Sequence, residues 1–151
     1  MRIFGIGIDI VNINRIAKSI KQKKFTNRLF NKLEIEKCEK VKNKEDCYAK
    51  RFAAKEAFSK AIGTGITKGI NLTEIIVQNN NKGKPNIKLI GKTKIIVSKI
   101  IKKNFKILLT LSDDKPFAIA TVIISLKLIP FATPVPRAFE KASFAANLFA
   151  K

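Results

Sequence analysis

Arg2-Ile3-Phe4-Gly5-Ile6-Gly7-Ile8-Asp9 reads as a strand, continued by Ile10 and Val11. Apolar residues take alternate positions. Gly5 and Gly7 lie among them, and glycine inside a strand marks a bulge or a close backbone approach. The strand closes on an acid, Asp9. A second acid, Glu56, lies inside Arg51-Phe52-Ala53-Ala54-Lys55-Glu56-Ala57-Phe58-Ser59-Lys60, within the longest predicted helix, about Glu45 to Ile62. Gly63 and Gly65 end that helix. The chain has 11 acidic residues against 31 Lys and Arg, so an acid ending an apolar strand and another among lysines both need a reason. A divalent metal would supply one.

Outward from these two elements, Asn12 or Asn14 can cap a short helix reaching about Gln22, Phe25 to Phe30 continues into a second piece, and Glu34 to Val41 forms a third. Beyond the long helix, Leu72 to Gln78 is a strand, Asn79 to Pro85 a polar turn, and Asn86 to Ile90 the returning strand. Ile95, Ile96, Ile100 and Ile101 recur at helical spacing between about Lys92 and Lys103. Phe105 to Leu111 and Phe117 to Leu126 are two further strands, joined by the turn Ser112-Asp113-Asp114-Lys115-Pro116. The order β, helices, hairpin, helix, hairpin predicts an α+β fold, an antiparallel sheet packed against a long central helix.

A chain of 151 residues, 46% of them hydrophobic, suits one compact domain. Its most continuous apolar stretch, Phe117 to Leu126, is too short to cross a bilayer as a helix, and Asp9 breaks the N-terminal apolar run without a cleavage site. No membrane partner is expected, and a cytoplasmic location is. Cys38 and Cys47 have no histidine for company, which argues against zinc, and they read as two reduced, half-buried thiols. The lack of histidine also removes Ser-His and Cys-His pairs, leaving carboxylates, lysines or metal for any chemistry.

The net charge of +20 implies an acidic partner or ligand. Lys outnumbers Arg by 26 to 5, and the excess is spread along the chain. A small basic nucleic-acid-binding protein is the alternative reading. It would call for clustered Arg and for aromatics interleaved with basic residues on one strand face; the one Tyr, Tyr48, falls on a predicted helix instead, so no nucleic-acid partner is expected.

Composition changes after Ile129. Three prolines enter within seven residues, and an Ala- and Phe-rich stretch follows in which Phe139, Ala142, Ala146 and Phe149 would share a helical face. The expected division is a functional domain at 1–128 and an appended extension at 129–151, helical or disordered, that catalysis does not need.

If the helix packs near the end of the first strand, Asp9, Glu56 and Lys60 converge, with Lys60 one turn beyond Glu56 on the same face. Two carboxylates plus waters and phosphate oxygens make a Mg²⁺ site, since that ion takes hard oxygen ligands. The plainer reading keeps Asp9 as an acid near a helix N-cap and Glu56-Lys60 as a surface pair contributing a few tenths of a kcal/mol.

Gly5-Ile6-Gly7-Ile8-Asp9-Ile10-Val11 followed by Arg15-Ile16, then Arg51-Phe52-Ala53-Ala54-Lys55-Glu56-Ala57-Phe58-Ser59-Lys60-Ala61 and Gly63-Thr64-Gly65-Ile66, closely resemble the holo-acyl-carrier-protein synthase family. Asn81-Lys82-Gly83-Lys84-Pro85, Leu111-Ser112-Asp113-Asp114 and Phe117-Ala118-Ile119-Ala120 fall in the family's order and spacing. The resemblance covers about Met1 to Leu128.

What the resemblance implies is the 4′-phosphopantetheinyl transferase fold and Mg²⁺-dependent transfer of the phosphopantetheine arm of coenzyme A to a serine of acyl carrier protein, releasing 3′,5′-ADP and supporting fatty acid biosynthesis. By position, Asp9 and Glu56 match metal ligands and Lys60 a pyrophosphate-contacting lysine. Arg51 falls near the nucleotide phosphates, Gly63 among the coenzyme-binding positions, and Lys84-Pro85 on the adenine side. Arg15, Lys18, Lys21, Lys24 and Arg28 fall on the segment that meets the acidic carrier protein. Many members have His after the serine of the last motif, where this chain has Asp113. Asp113 is therefore a candidate auxiliary ligand or base, and the proton acceptor is Glu56, Asp113 or a metal-bound water. The family forms homotrimers with the active site between subunits, so Arg51 and the Pro85 loop are expected to serve a neighbour's ligand. Gly5 and Gly7 would permit close packing at that interface or ordinary sheet packing.

Overall fold

The computed structural model describes residues 2–65 and 69–127; the extension expected at 129–151 lies outside them. Strand β1 (Arg2–Asn12) is followed by helices α1 (Ile13–Ser19), α2 (Lys23–Leu29), α3 (Lys32–Glu39) and the long α4 (Lys44–Ile62). A 3-10 turn (Leu72–Glu74) then leads into β2 (Ile75–Asn79) and β3 (Pro85–Leu89), followed by α5 (Gly91–Ile101), β4 (Phe105–Asp114) and β5 (Phe117–Leu126). The strands form two antiparallel sheets, one in the order β1-β5-β4 and the other β2-β3. The expected α+β class and its antiparallel sheet against a central helix are both present.

Two glycines set how near α4 lies to the large sheet. A Cβ built at Gly5 would collide with the Ala61 carbonyl oxygen, and one at Gly7 with that of Ala57. The strand thus rests on the helix backbone, where Ala53, Ala57 and Ala61 keep the helix surface low. Strand and helix have no room for even one methyl here, and inserting one into such packing ordinarily costs about 1–3 kcal/mol. Gly5 and Gly7 therefore serve the contact between sheet and helix. The pleat sends the other residues outward: Ile6, Ile8 and Ile10 are 55%, 57% and 59% exposed. The apolar alternation of β1 faces away from the core, while Val11 together with Ala118, Ala120, Val122 and Ile124 of β5 faces the helix. Phe58, fully buried, anchors the layer, a burial worth roughly 1.5–3 kcal/mol.

Local capping explains the short helices. The Asn12 side chain accepts from the N–H groups of Asn14 and Arg15, so β1 passes directly into α1. Asn31 and Glu34 form a reciprocal capping box at α3. Gly63, at φ 75°, closes α4 in the left-handed conformation.

Three expectations change. Leu72–Glu74 is a 3-10 turn instead of the start of a strand, because the Asn71 side chain accepts from the Thr73 N–H and closes a turn there. The strand β4 runs through the predicted turn to Asp114, pairing Ser112 with Ile119, Asp113 with Ala118 and Asp114 with Phe117, so only Lys115 and Pro116 remain in the turn. Cys38 and Cys47 are not free thiols: they form a disulfide joining α3 to the start of α4, and both are buried. The antiparallel return of the chain brings these two positions, nine residues apart, face to face.

Candidate active site

Asp9 lies on the same face of β1 as the two glycines, so its carboxylate meets the helix. The Lys60 ammonium donates to Asp9 Oδ1 at 2.8 Å and to the Ile8 carbonyl at 3.0 Å. The Asp9 side chain is 15% exposed and that of Lys60 53%, which places a recessed acid under an accessible cation. Glu56, one helical turn before Lys60, is half-buried. Burial, followed by the nearby Asp9 charge, pushes its carboxyl above the ordinary range, and Lys60 opposes the shift. Glu56 makes no side-chain hydrogen bond among the described residues. The three residues that the sequence suggested would converge do so.

This pair of acids fits a divalent cation. Glu56 is a carboxylate with vacant acceptor positions, its proton affinity raised first by burial and then by a second carboxylate whose charge a cation would offset. No cluster of three or more His, Cys, Asp or Glu side chains suited to a metal occurs among the described residues. Two protein oxygens with the remainder left to water and substrate phosphates suit Mg²⁺.

Glu56 lines a cavity of about 610 Å³ with Phe25, Arg28, Phe52 and Gly69. Arg15, Lys18, Lys21, Lys24 and Arg28 are all exposed along α1, α2 and the link between them. Arg28 is the member of that set that reaches the Glu56 cavity.

Arg51, Pro85 and Asp113 line a different cavity, of about 600 Å³. Five residues separate Arg51 from Glu56, which turns the helix by about 140° between them. Arg51 is buried, its Nη1 donating to the Cys47 carbonyl at 3.2 Å and lying 2.9 Å from Cys47 Sγ. Its Nε is buried with no hydrogen-bond partner among the described residues, and burial lowers the guanidinium's affinity for its proton. Asp113 is paired neither with Lys60 nor with Glu56: Lys50 Nζ lies 2.6 Å from its Oδ1. Lys84 is exposed beside Pro85, on a further cavity against β4 and β5. Gly63 lies just past α4.

Sequence reasoning missed Lys50 as the partner of Asp113, and it missed the Glu34–Lys55 ion pair. Lys55 is fully buried, its ammonium 2.6 Å from Glu34 Oε2 and donating to the Leu72 carbonyl at 2.7 Å. The i, i+4 series Cys47, Arg51, Lys55 was the available signal for that inner face, and Asn31-x-x-Glu34 was the signal for a structural acid.

Residues 5–122 match the family model of the 4'-phosphopantetheinyl transferase superfamily. A holo-[acyl-carrier-protein] synthase of Pelagibacter ubique (strain HTCC1062) is 47% identical over 128 residues, covering 84% of this chain and 100% of that protein. A holo-(acyl-carrier-protein) synthase from Bacillus anthracis str. Ames, solved in complex with CoA (3',5'-ADP), has a TM-score of 0.69 at 35% identity and covers 83% of this chain and 98% of its own. That of Helicobacter pylori, in complex with coenzyme A, has a TM-score of 0.68 at 36% identity, with 80% and 99% covered. By that match over residues 5–122 and by these identities along nearly the whole length of the relatives, the chain belongs to the 4'-phosphopantetheinyl transferase superfamily.

Proposed function

We propose that this protein is a holo-acyl-carrier-protein synthase that moves the 4′-phosphopantetheine group of coenzyme A onto a serine of apo acyl carrier protein. The observation that carries the reading is the convergence of Asp9, Glu56 and Lys60 at the junction of β1 and α4, in a chain whose relatives bear that activity in their names.

The serine oxygen attacks the phosphorus attached to the pantetheine arm, the bond from that phosphorus to the bridging oxygen breaks, and 3′,5′-ADP leaves. Glu56 takes the serine proton, as the half-buried carboxylate of the pair that has no side-chain hydrogen bond among the described residues. Asp113, paired with Lys50 at the other cavity, is left as a group of the nucleotide wall. Lys60 balances charge gathering on the pyrophosphate, and its bond to Ile8 fixes it to the strand. Asp9 and Glu56 would hold Mg²⁺, which when bound screens the two acids from one another and draws charge from the pyrophosphate oxygens. The exposed cations Arg15, Lys18, Lys21, Lys24 and Arg28 steer an acidic carrier toward the Glu56 cavity.

The assembly we propose is the family's homotrimer, and two observations support association with neighbouring copies. The outer face of β1 exposes Ile6, Ile8 and Ile10 beside Ile119 of β5, an apolar strip that water does not favour. Glu56 and the Arg51–Pro85 wall also line separate cavities of one chain, so a neighbouring copy would complete the site. The unit that does this is 1–128, with the extension dispensable, in keeping with the full-length match of the Pelagibacter relative over 128 residues. The reaction would supply carrier protein for fatty acid biosynthesis in the cytoplasm; among the described residues no helix is long and apolar enough to span a membrane.

The test is incubation with coenzyme A, Mg²⁺ and apo acyl carrier protein, read by intact mass. The carrier should gain one phosphopantetheine, and an unchanged carrier that a competent synthase can modify refutes the reading.

A further inference from the structure

The wall of the Arg51 cavity carries a charge arrangement that the chemistry above does not use. Four cations, Lys37, Lys42, Lys50 and Arg51, line it with two carboxylates, Asp46 and Asp113. Asp46 is buried in the first turn of α4, with Lys115 Nζ 3.8 Å from its Oδ2. Asp113 belongs to the end of β4 and arrives from 63 residues away, where Lys50 Nζ meets its Oδ1 at 2.6 Å. Both side chains remain partly open, 29% exposed for Lys50 and 33% for Asp113. They therefore border the space that a ligand would enter.

The position of Arg51 makes this pair consequential. Its guanidinium is fixed on Cys47 and its Nε has no partner among the described residues, so the cation cannot travel to an anion; the anion must come to it. A lone carboxylate on the same wall would repel a phosphate at Coulombic range, in surroundings less screened than open water. Lys50 directly precedes Arg51 on α4 and is the side chain that meets that carboxylate.

We infer that Lys50 is a positioning residue for the coenzyme's nucleotide phosphate: its ammonium cancels Asp113 and pins the β4–β5 end against α4, leaving the charge of Arg51 available to the ligand. The inference rests on the coenzyme A reading proposed above. Two kinds of role are separable here. A mechanical tie is lost whenever either partner is removed. Charge cancellation is lost with Lys50 alone and returns when Asp113 is neutralised too.

The experiment measures steady-state kinetics of K50M, K50R and K50M/D113N with coenzyme A and apo carrier protein, with thermal unfolding of each variant to check the fold. For K50M, KM for coenzyme A should rise about fivefold to tenfold with kcat retained, the pattern of lost ligand binding as opposed to lost chemistry. K50R should stay within about twofold of wild type, and K50M/D113N should return to within about twofold although the tie is still absent. A double variant as impaired as K50M would overturn the inference in favour of a tie alone. So would a K50M enzyme with an unchanged KM. A wild-type protein that fails to use coenzyme A overturns the function itself and this inference with it, whereas normal wild-type turnover with indifferent Lys50 variants overturns only the latter.

Discussion

Among the lysine–carboxylate pairs of helix α4, two invite comparison, Lys55 with Glu34 and Lys60 with Asp9, at nearly equal separations of 2.6 and 2.8 Å. In the first, every polar atom is engaged. Glu34 accepts from Lys55 and the Asn31 N–H through Oε2 and from the Val77 N–H through Oε1, while the Lys55 ammonium also reaches the Leu72 carbonyl and lies over the Phe30 ring. In the second, Lys60 is half exposed and a neighbouring acid, Glu56, has no side-chain hydrogen bond among the described residues. The same residue types thus make a closed structural bond on one face and an open site on another. What separates them is unused hydrogen-bonding capacity joined to access.

The largest effect should come from the open pair. E56Q is expected to lower turnover about 10²- to 10⁴-fold, the usual span for losing a positioned acid–base group, while unfolding in urea stays near wild type. D9N should follow it in direction. Near-normal transfer by both variants, measured by carrier mass, would break the assignment of chemistry to this face.

The closed pair should behave in the opposite way. K55M leaves Glu34 charged and buried, and breaking such a pair costs about 3–5 kcal/mol, a large part of the roughly 5–15 kcal/mol available to a domain. E34Q/K55M should regain part of that, since the amide oxygen can still serve one of the two N–H groups but the Leu72 carbonyl stays orphaned. Chemical denaturation supplies both numbers. If K55M instead folds normally and loses turnover, the division between the two pairs collapses.

Next in size is the Cys38–Cys47 disulfide, which ties α3, the helix bearing Glu34, to α4. Closing a loop with a sequence separation of nine is worth about 2–3 kcal/mol by the chain-entropy argument. Reduction of the oxidised protein should lower the unfolding free energy by that amount, read in urea as the downward shift of the midpoint multiplied by the m-value. The shift should be greater in K55M, because the two restraints share a helix pair and their losses need not add. Equal shifts in both backgrounds would show that the pair and the disulfide act independently.

Much of this division was legible beforehand, but unevenly. Asp9, Glu56 and Lys60 could be brought together on paper because a strand end and an i, i+4 helical pair are both periodic features. Gly5 and Gly7 announced a close approach without saying to what, since the partner, the backbone of Ala57 and Ala61, lies far along the chain. Lys55 was hidden for a related reason: one position from Glu56 on the chain, it is turned by about 100° on the helix, and its burial depends on α3 and on Leu72. The tie between Asp113 and Lys50 was equally out of reach, because it needed β4 to extend past the predicted turn. The outward apolar row of β1 would, by pattern alone, have been assigned to the core.

The smallest effect concerns pH and follows from the sign of the Glu56 shift. Its folded-state proton affinity is raised, so between the ordinary Glu range and the folded value the native state binds more protons than the unfolded chain. Stability then falls as pH rises through that window, and the protonated form, favoured on the acid side, is the one without penalty. E56Q cannot titrate there. With divalent cations chelated, the stability of wild type relative to E56Q should decline as pH increases across the window, by less than about 1 kcal/mol once solvent screening of a half-buried group is allowed for. Adding Mg²⁺ above the window should restore wild type and leave E56Q less affected, since the ion offsets the repulsion from Asp9 that contributes to the penalty. The corresponding comparison at the closed pair, K55M against wild type with and without Mg²⁺, should show no such response, because Glu34 is buried away from solvent and its carboxylate is still held by the Asn31 and Val77 N–H groups. A Mg²⁺ effect on both pairs would place the ion's action elsewhere in the molecule.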